Sequence, residues 1–524
     1  MTDTFRRRPE PVAPSSPRVG TNLKGDLAGG AWLHLLPALG GNRALVMGRL
    51  PRADALALSR AGFQTSQAGS PADLTAQHPP TGGRPPRFNL IVVGQPMKEI
   101  PPAVTEALAP GGVLLAFDVD PRAVPPAGHQ ITPLVLTYEG DRLRSVVTAG
   151  DRLTAYDFHR NDRRPARRSL PSVRGSRRPR TTSGIILTAT GHDPVPLAIT
   201  RLSETTATGP DPRWGLWARG DYNTQKILMF AYPSDGHRPE VAIKITRSAD
   251  ANHRLENEYL ALEILGELGH VAQGRAPGAL FLSSAHGCRV CAETAVDGTP
   301  FEKLSRRARL DLLADAGHWL TELARSTIRT VPGATLAETL TPDRDRFSLI
   351  FGSRPETGHL DRALDDLASC PSVPMVAQHG DAGAWNLLAD SRGRAVFLDW
   401  ESFRTTGPPL WDLIYLVRSV AARFHGHRRR RLREMAIDSH LLRGSRLTPH
   451  LARCIDRQAL ALEIDPALIE PLMLTAWMHR AVKEATRLPP DRVGSSRYLR
   501  LIRRTIEARG SRGHDLITGR RRPC

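Results

Sequence analysis

The chain has 524 residues, 40% of them apolar, with ordinary numbers of Gly (44) and Pro (43), which predicts a folded protein of two or three domains rather than a single core. No run of 18 apolar residues occurs, and the start, Met1-Thr-Asp-Thr-Phe-Arg-Arg-Arg-Pro, lacks the apolar stretch of a signal peptide, so membrane spans are not expected and a soluble, cytoplasmic protein is. The formal charge of +19 raises nucleic acid as a partner. Much of that charge falls at 163–180, 428–433 and 520–522, without the interleaved aromatic residues that stack on bases, so these runs read as solvated linker, helix face and tail.

Five cysteines, at 288, 291, 370, 454 and 524, are too few and too scattered for a disulfide framework and suggest a reducing compartment. Cys288-Arg-Val-Cys291 has metal-ligand spacing but no second Cys/His pair nearby, so it reads as two strand residues facing one way rather than a zinc site.

Residues 1–25 are polar and Pro-rich and read as disordered. From 26 to 158, apolar strand-like runs at 43–48, 88–94 and 112–117 alternate with helical runs at 53–61 and 104–108. Apolar strands separated by helices predict a covered parallel sheet, an α/β Rossmann-like domain. Residues 159–182, rich in Arg, Pro and Ser and without hydrophobic periodicity, read as a basic linker between independently folding units. A β-rich lobe is predicted at 183–300, with strands at 226–232 and 240–245 and a helix at 254–268. A helical lobe with a basic tail follows at 301–524.

The residues that carry chemistry lie in this last part. Gln378-His379-Gly380-Asp381 is followed by Asn386 five residues after Asp381, and an apolar run ends in Asp399-Trp-Glu401. Phosphoryl transfer needs a carboxylate to take the acceptor hydroxyl's proton and ligands for the ions that neutralise a triphosphate; this spacing supplies both. Upstream, Val241-Ala-Ile-Lys244 ends a strand in a lysine, and Glu258, with Glu256 as its competitor, stands on the next helix.

On these motifs the region 214–509 resembles the aminoglycoside phosphotransferase and choline kinase superfamily, relatives of protein kinases with Gly in place of Arg in His-Arg-Asp. The resemblance implies an α+β bilobal protein-kinase-like fold using ATP and Mg²⁺, with Asp381 as catalytic base, His379 supporting it, and Asn386 and Asp399 as metal ligands. It further implies Glu401 as a helper near the metals, Lys244 paired to Glu258 at the phosphates, and backbone groups at Glu293–Ala295 on the adenine edge. Asp412 would brace the catalytic loop, although a carboxylate at a helix N-terminus fits the sequence equally. Gly220 is the one glycine of the nucleotide-loop segment, and both a phosphate-facing turn and an ordinary one stay open. The partner implied is a small molecule bearing a hydroxyl; aminoglycosides, amino alcohols, sugars and glycan intermediates all remain candidates.

The amino-terminal part resembles class I S-adenosylmethionine-dependent methyltransferases, with departures. Arg49-Leu50-Pro51 stands where a glycine turn would approach the ligand, and no acidic residue lies between Phe63 and Ala72 to hold a ribose. A degenerate, non-catalytic domain is the implication, against a bifunctional kinase–methyltransferase. A kinase-like scaffold without activity is the other alternative, and the joint presence of Lys244, Asp381, Asn386 and Asp399 argues against it.

Overall fold

A computed structural model describes residues 30–70, 87–94, 99–117, 129–139, 142–148, 180–189, 195–203, 213–218, 225–234, 238–426, 429–486 and 490–519, with single positions 73, 97, 119 and 488 between them. The expected disorder at 1–25, nearly all of the linker and Gly220 lie outside the described residues.

The runs of Val, Ile, Leu and Ala identified in the sequence form strands because branched and apolar side chains pack well on a pleated, covered surface. Among the described residues twelve strands make one mixed sheet. They are β1 (Arg43–Met47), β2 (Gln64–Ala68), β3 (Phe88–Val93), β4 (Leu108–Phe117), β5 (His129–Glu139), β6 (Arg142–Thr148), β7 (Arg180–Ala189), β8 (Arg213–Trp217), β9 (Ile227–Tyr232), β10 (Val241–Ile245), β11 (Ala279–Ala285) and β12 (Cys288–Thr294). Their order is β11-β12-β10-β9-β8-β6-β5-β7-β4-β3-β1-β2. β2, β1, β3 and β4 pair in parallel, with helix Arg52–Arg60 between β1 and β2 and the short helix Pro102–Glu106 between β3 and β4. From β4 outward the pairing is antiparallel.

Two expectations are corrected here. The predicted boundary at 158/183 does not divide the sheet: β7 starts at Arg180 and lies between β4 and β5, bonded to both, and β6 pairs with β8 across the same supposed boundary. The parallel strands are one end of a larger mixed sheet rather than a freestanding domain, and one apolar core runs along a face of it from Trp32 to Ala292. The sheet also curls until its ends meet, with His34 and Phe63 at 6.1 and 6.2 Å from the His286 ring in the turn between β11 and β12. The second correction concerns Cys288 and Cys291. Three residues apart on the uninterrupted β12, they point to opposite faces, because side chains alternate with period two. Cys288 packs with Val290 and Ala292 on the shared core, while Cys291 is opposite Lys244 in the β10–β12 register.

Beyond β12 the chain is mainly helical. The helices Arg306–Ser326, Trp411–Arg423 and Ile469–Ala485 bury most of their apolar side chains in a second, larger core. The strand Val373–Gln378 runs into this core between Arg329–Val331 and Arg404–Gly407. A hairpin of Leu387–Ala389 with Ala395–Phe397 follows it. Helix Asn252–Glu267 packs on β11 and β12, so its buried face looks toward β10. Among the described residues no helix is long and apolar enough to cross a membrane.

The position of β7 makes a testable statement about how the two halves are joined. After cleavage at an engineered protease site within residues 163–178, the carboxy-terminal piece keeps β7, whose two neighbours β4 and β5 belong to the other piece. The fragments should co-elute on native size-exclusion chromatography and part only in denaturant. Two separate native peaks would contradict a shared sheet.

Candidate active site

Val373–Gln378 is a buried strand, and it delivers His379-Gly380-Asp381 to its carboxyl end. Gly380 sits there with φ 74°, and a Cβ on it would lie 2.0 Å from the Ser402 carbonyl oxygen. Only glycine fits so close a backbone approach in the left-handed region, which is the physical reason this loop reads His-Gly-Asp. Asp412, in the first turn of Trp411–Arg423, accepts the backbone N–H of His379 at 2.5 Å and that of Gly380 at 3.0 Å. Both readings of Asp412 thus meet in one residue. Burial raises its pKa, while His379 and these N–H groups pull it back. His379 is fully buried beside Trp400, with ring centroids 4.3 Å apart. Its Nδ1 accepts the Asp381 N–H at 3.1 Å, so its Nε2 donates to the Leu398 carbonyl at 3.0 Å. One imidazole therefore ties the Asp381 loop to the strand end that carries Asp399.

Asn386 is buried and donates from Nδ2 to the Asp381 carbonyl at 3.0 Å and to its Oδ2 at 3.3 Å. The Asn386 carbonyl accepts from Leu398 N–H at 2.8 Å, which sets Asn386 next to the segment ending in Asp399. Asp399 itself takes φ 67°, a strained setting for a residue with a side chain, of the kind that concentrates at functional sites.

The charged cluster lies against these residues. Glu258 is completely buried. Its Oε1 accepts from Lys244 Nζ at 2.6 Å and from the Trp400 N–H at 3.1 Å, and its Oε2 from Lys226 Nζ at 2.6 Å. Glu256 instead pairs with Arg289 on a half-exposed surface at 2.7 Å, which settles the competition between the two glutamates for Lys244. Lys244 Nζ also reaches the Glu293 carboxylate at 2.7 Å. Burial opposes charge on Glu258, yet Lys226 and Lys244 bring its pKa below the usual value. Burial pushes the Glu293 carboxyl up to about 7 against the pull of Lys244.

At Ala295 the structure differs from expectation: its N–H is already given to the Glu240 carbonyl at 2.8 Å, extending the β10–β12 pairing, so that N–H is not available to a base edge, while the Glu293 carboxylate bonds Lys244. Glu401 shares the Lys226 ammonium with Asp399. Its Oε2 lies 3.2 Å from Lys226 Nζ and its Oε1 3.0 Å from Arg254 Nη1.

Two residues escaped sequence reading. Lys226, just before β9, places its ammonium among Asp399, Glu258 and Glu401, pairing with all three. Against the burial that would lower its pKa, these carboxylates raise it well above the ordinary value. Arg480, on Ile469–Ala485, donates to Asp381 Oδ1 at 2.9 Å and to the Gly380 carbonyl at 2.7 Å, with its guanidinium 3.5 Å from the Tyr415 ring centroid. An arginine among the mostly apolar, buried residues in the middle of this helix was the available signal, since buried charge needs a partner. For Lys226 nothing in the strand marks it.

Lys226 balances carboxylates that would otherwise repel one another. Lys226→Met should lower stability by about 2 kcal/mol at pH 7, below the 3–5 kcal/mol of a fully buried pair because the Asp399 side chain is 39% exposed. Burial aside, Lys226 and Lys244 hold the Asp399 carboxyl well below the usual range, and that contribution is present above the unfolded-state values. The gap between variant and wild type in urea denaturation should therefore shrink as pH falls from about 4.3 to about 3. A pH-independent gap would mean that Lys226 is not neutralising this cluster.

Comparison with known proteins adds the following. No curated protein matches the chain. Among solved structures it is similar to an aminoglycoside phosphotransferase APH(3'')-Id from Streptomyces rimosus in complex with ADP and streptomycin, at 17% identity over 47% of this chain and 90% of that one, TM-score 0.29. It is also similar to a thermostable mutant of aminoglycoside phosphotransferase APH(4)-Ia, at 14% identity over 58% and 96%, TM-score 0.37. A third is the macrolide 2'-phosphotransferase MphH from Brachybacterium faecium, at 20% identity over 50% and 87%, TM-score 0.30. A family model also matches: residues 233–445, which hold Lys244, Glu258, Asp381, Asn386 and Asp399, are similar to the phosphotransferase enzyme family.

Proposed function

We propose that this protein transfers the γ-phosphate of ATP to a hydroxyl of a small molecule, with Asp381 as the base that takes the hydroxyl proton. The observation that carries the reading is the convergence of Lys244–Glu258, Asn386, Asp399 and Asp381 at one site, with Asp381 steered from three sides. Arg480 and Asn386 fix its two oxygens, and His379 holds its backbone. A base so oriented presents the acceptor oxygen at a fixed angle, and positioning is the main thing a protein supplies in phosphoryl transfer. Lys244, locked between Glu258 and Glu293, is the lysine placed for the phosphates.

A divalent cation fits the residues present, since the Asp399 carboxylate already accommodates the Lys226 ammonium and keeps solvent contact. Asn386 and Asp399 would hold Mg²⁺, which supplies charge neutralisation of the triphosphate when bound. Asp381→Ala should lower kcat by about 10²–10⁴-fold while ATP still binds, because the base acts on the acceptor alone. Asp399→Ala should in addition weaken Mg·ATP binding in a calorimetric titration. An Asp381→Ala enzyme with wild-type ADP release on a verified acceptor would end this mechanism.

For the amino-terminal strands we propose a structural rather than a methyl-transferring role. A Cβ on Gly94, just past β3, would lie 2.9 Å from both the Arg49 carbonyl and Leu50 Cδ2. The segment after β1 thus packs into the crevice at the strands' carboxyl ends, where a Rossmann-like sheet would take its ligand. Calorimetry of the full chain with S-adenosylmethionine should give no saturable heat; low-micromolar binding would revive the bifunctional alternative.

A further inference from the structure

The ammonium of Lys226 sits among three carboxylates. It donates to Asp399 Oδ1, lies 2.6 Å from Glu258 Oε2 and 3.2 Å from Glu401 Oε2, and the lysine side chain is only 12% exposed. Glu258 is fully buried, and Glu401 is held in turn by Arg254 at 3.0 Å. Two of the three contacts therefore lie outside the metal ligands named above and keep the ammonium in place, since breaking them would leave carboxylates uncompensated away from water.

Charge in this cluster is nearly balanced by the protein's own groups. Lys226, Lys244 and Arg254 face the carboxylates of Glu258, Glu293, Asp399 and Glu401. Lys226 takes Oδ1 of Asp399, and the Asp399 side chain is 39% exposed, so its other oxygen can be approached from solvent. A divalent ion arriving there would share one carboxylate with the ammonium. Two positive charges so close repel strongly where few water molecules screen them. An anion beside both offsets that repulsion, and the phosphates of a nucleotide are the anion that the reaction itself brings.

We propose that Lys226 makes metal binding at Asp399 conditional on the nucleotide: its ammonium keeps a divalent ion off the carboxylate until phosphate oxygens arrive with it. The lysine acts here through its pairing with Asp399 and needs no free charge of its own. This rests on the phosphotransferase reading above, in which Asp399 is a metal ligand, and it adds the residue that decides when Asp399 serves as one.

The test uses the full chain with Mn²⁺ as the probe, bound ion being read by electron paramagnetic resonance without nucleotide. Wild type should bind Mn²⁺ at least about tenfold more weakly than Lys226→Met, whose carboxylates have lost the ammonium. Lys226→Arg keeps the charge and should behave as wild type, a split between Met and Arg that a space-filling role would not produce. Adding Asp399→Asn to Lys226→Met should remove the gained affinity. With Mn·ADP as titrant in calorimetry the gap between wild type and Lys226→Met should shrink, because phosphate charge offsets the ammonium. Equal Mn²⁺ affinity of nucleotide-free wild type and Lys226→Met overturns the inference, as does a gain that survives Asp399→Asn or that Lys226→Arg shows as well. If Lys226→Met is unfolded on its own, Mn²⁺ should restore its circular dichroism, and no recovery on adding Mn²⁺ overturns the inference too. Wild type that fails to bind Mg·ATP in calorimetry is a different result, which removes the phosphotransferase reading and this inference with it.

Discussion

The buried carboxylate of Glu258 is the contact on which the site depends. It belongs to helix Asn252–Glu267, yet it receives Lys244 from β10, Lys226 from the edge of β9 and the backbone N–H of Trp400 from the helical part of the chain. Three separate stretches of sequence are thereby held to one pair of oxygen atoms. A carboxylate without solvent is costly unless its lone pairs are filled, and here they are filled by two ammonium groups and an amide. The charges are therefore mutually enforcing, since removing any one leaves the others uncompensated in a medium that screens them poorly. The Trp400 contact matters most for geometry, because it links the lysine pair directly to the segment that presents Asp399.

A second set of constraints fixes Asp381. The Asp412 carboxylate takes two successive backbone N–H groups, the His379 ring spans from the Asp381 amide to the Leu398 carbonyl, and Arg480 grips both the Asp381 side chain and the Gly380 carbonyl. Each of these polar groups has its partner, so the loop has little freedom to adopt another shape. Gly380 completes the arrangement by permitting the Ser402 carbonyl to pass within the space a side chain would need. The result is a carboxylate whose orientation is set by the fold itself, which is the condition under which positioning can lower a barrier.

The long curled sheet gives these two sets of constraints a common foundation. β10 and β12, which carry Lys244 and Glu293, are central to one end of it, and the parallel strands from the amino-terminal part continue the same hydrogen-bonded ladder. Because a single core runs along one face from Trp32 to Ala292, disturbance at the amino-terminal strands is passed to the strands under the site through packed side chains rather than through a hinge.

How much of this could be read from the residues alone follows from what each feature depends on. The sequence by itself determined that Asp381, Asn386 and Asp399 come together, because they are spaced along one short stretch, and local spacing survives in any fold that contains it. It also located Lys244 and Glu258, since the strand and helix that bear them have clear periodicity, and it identified the apolar strands that build the sheet. The opposite facing of Cys288 and Cys291 is also local, since a separation of three on one strand puts side chains on opposite faces. Only the tertiary structure decided that β7 joins the two halves, because the pairing of β7 with β4 and β5 bridges more than forty positions and leaves no mark on composition. It alone brought Lys226 and Arg480 to the site. Their partners stand 173 and 99 residues away, and a lysine or arginine in isolation looks the same whether it meets water or a buried carboxylate.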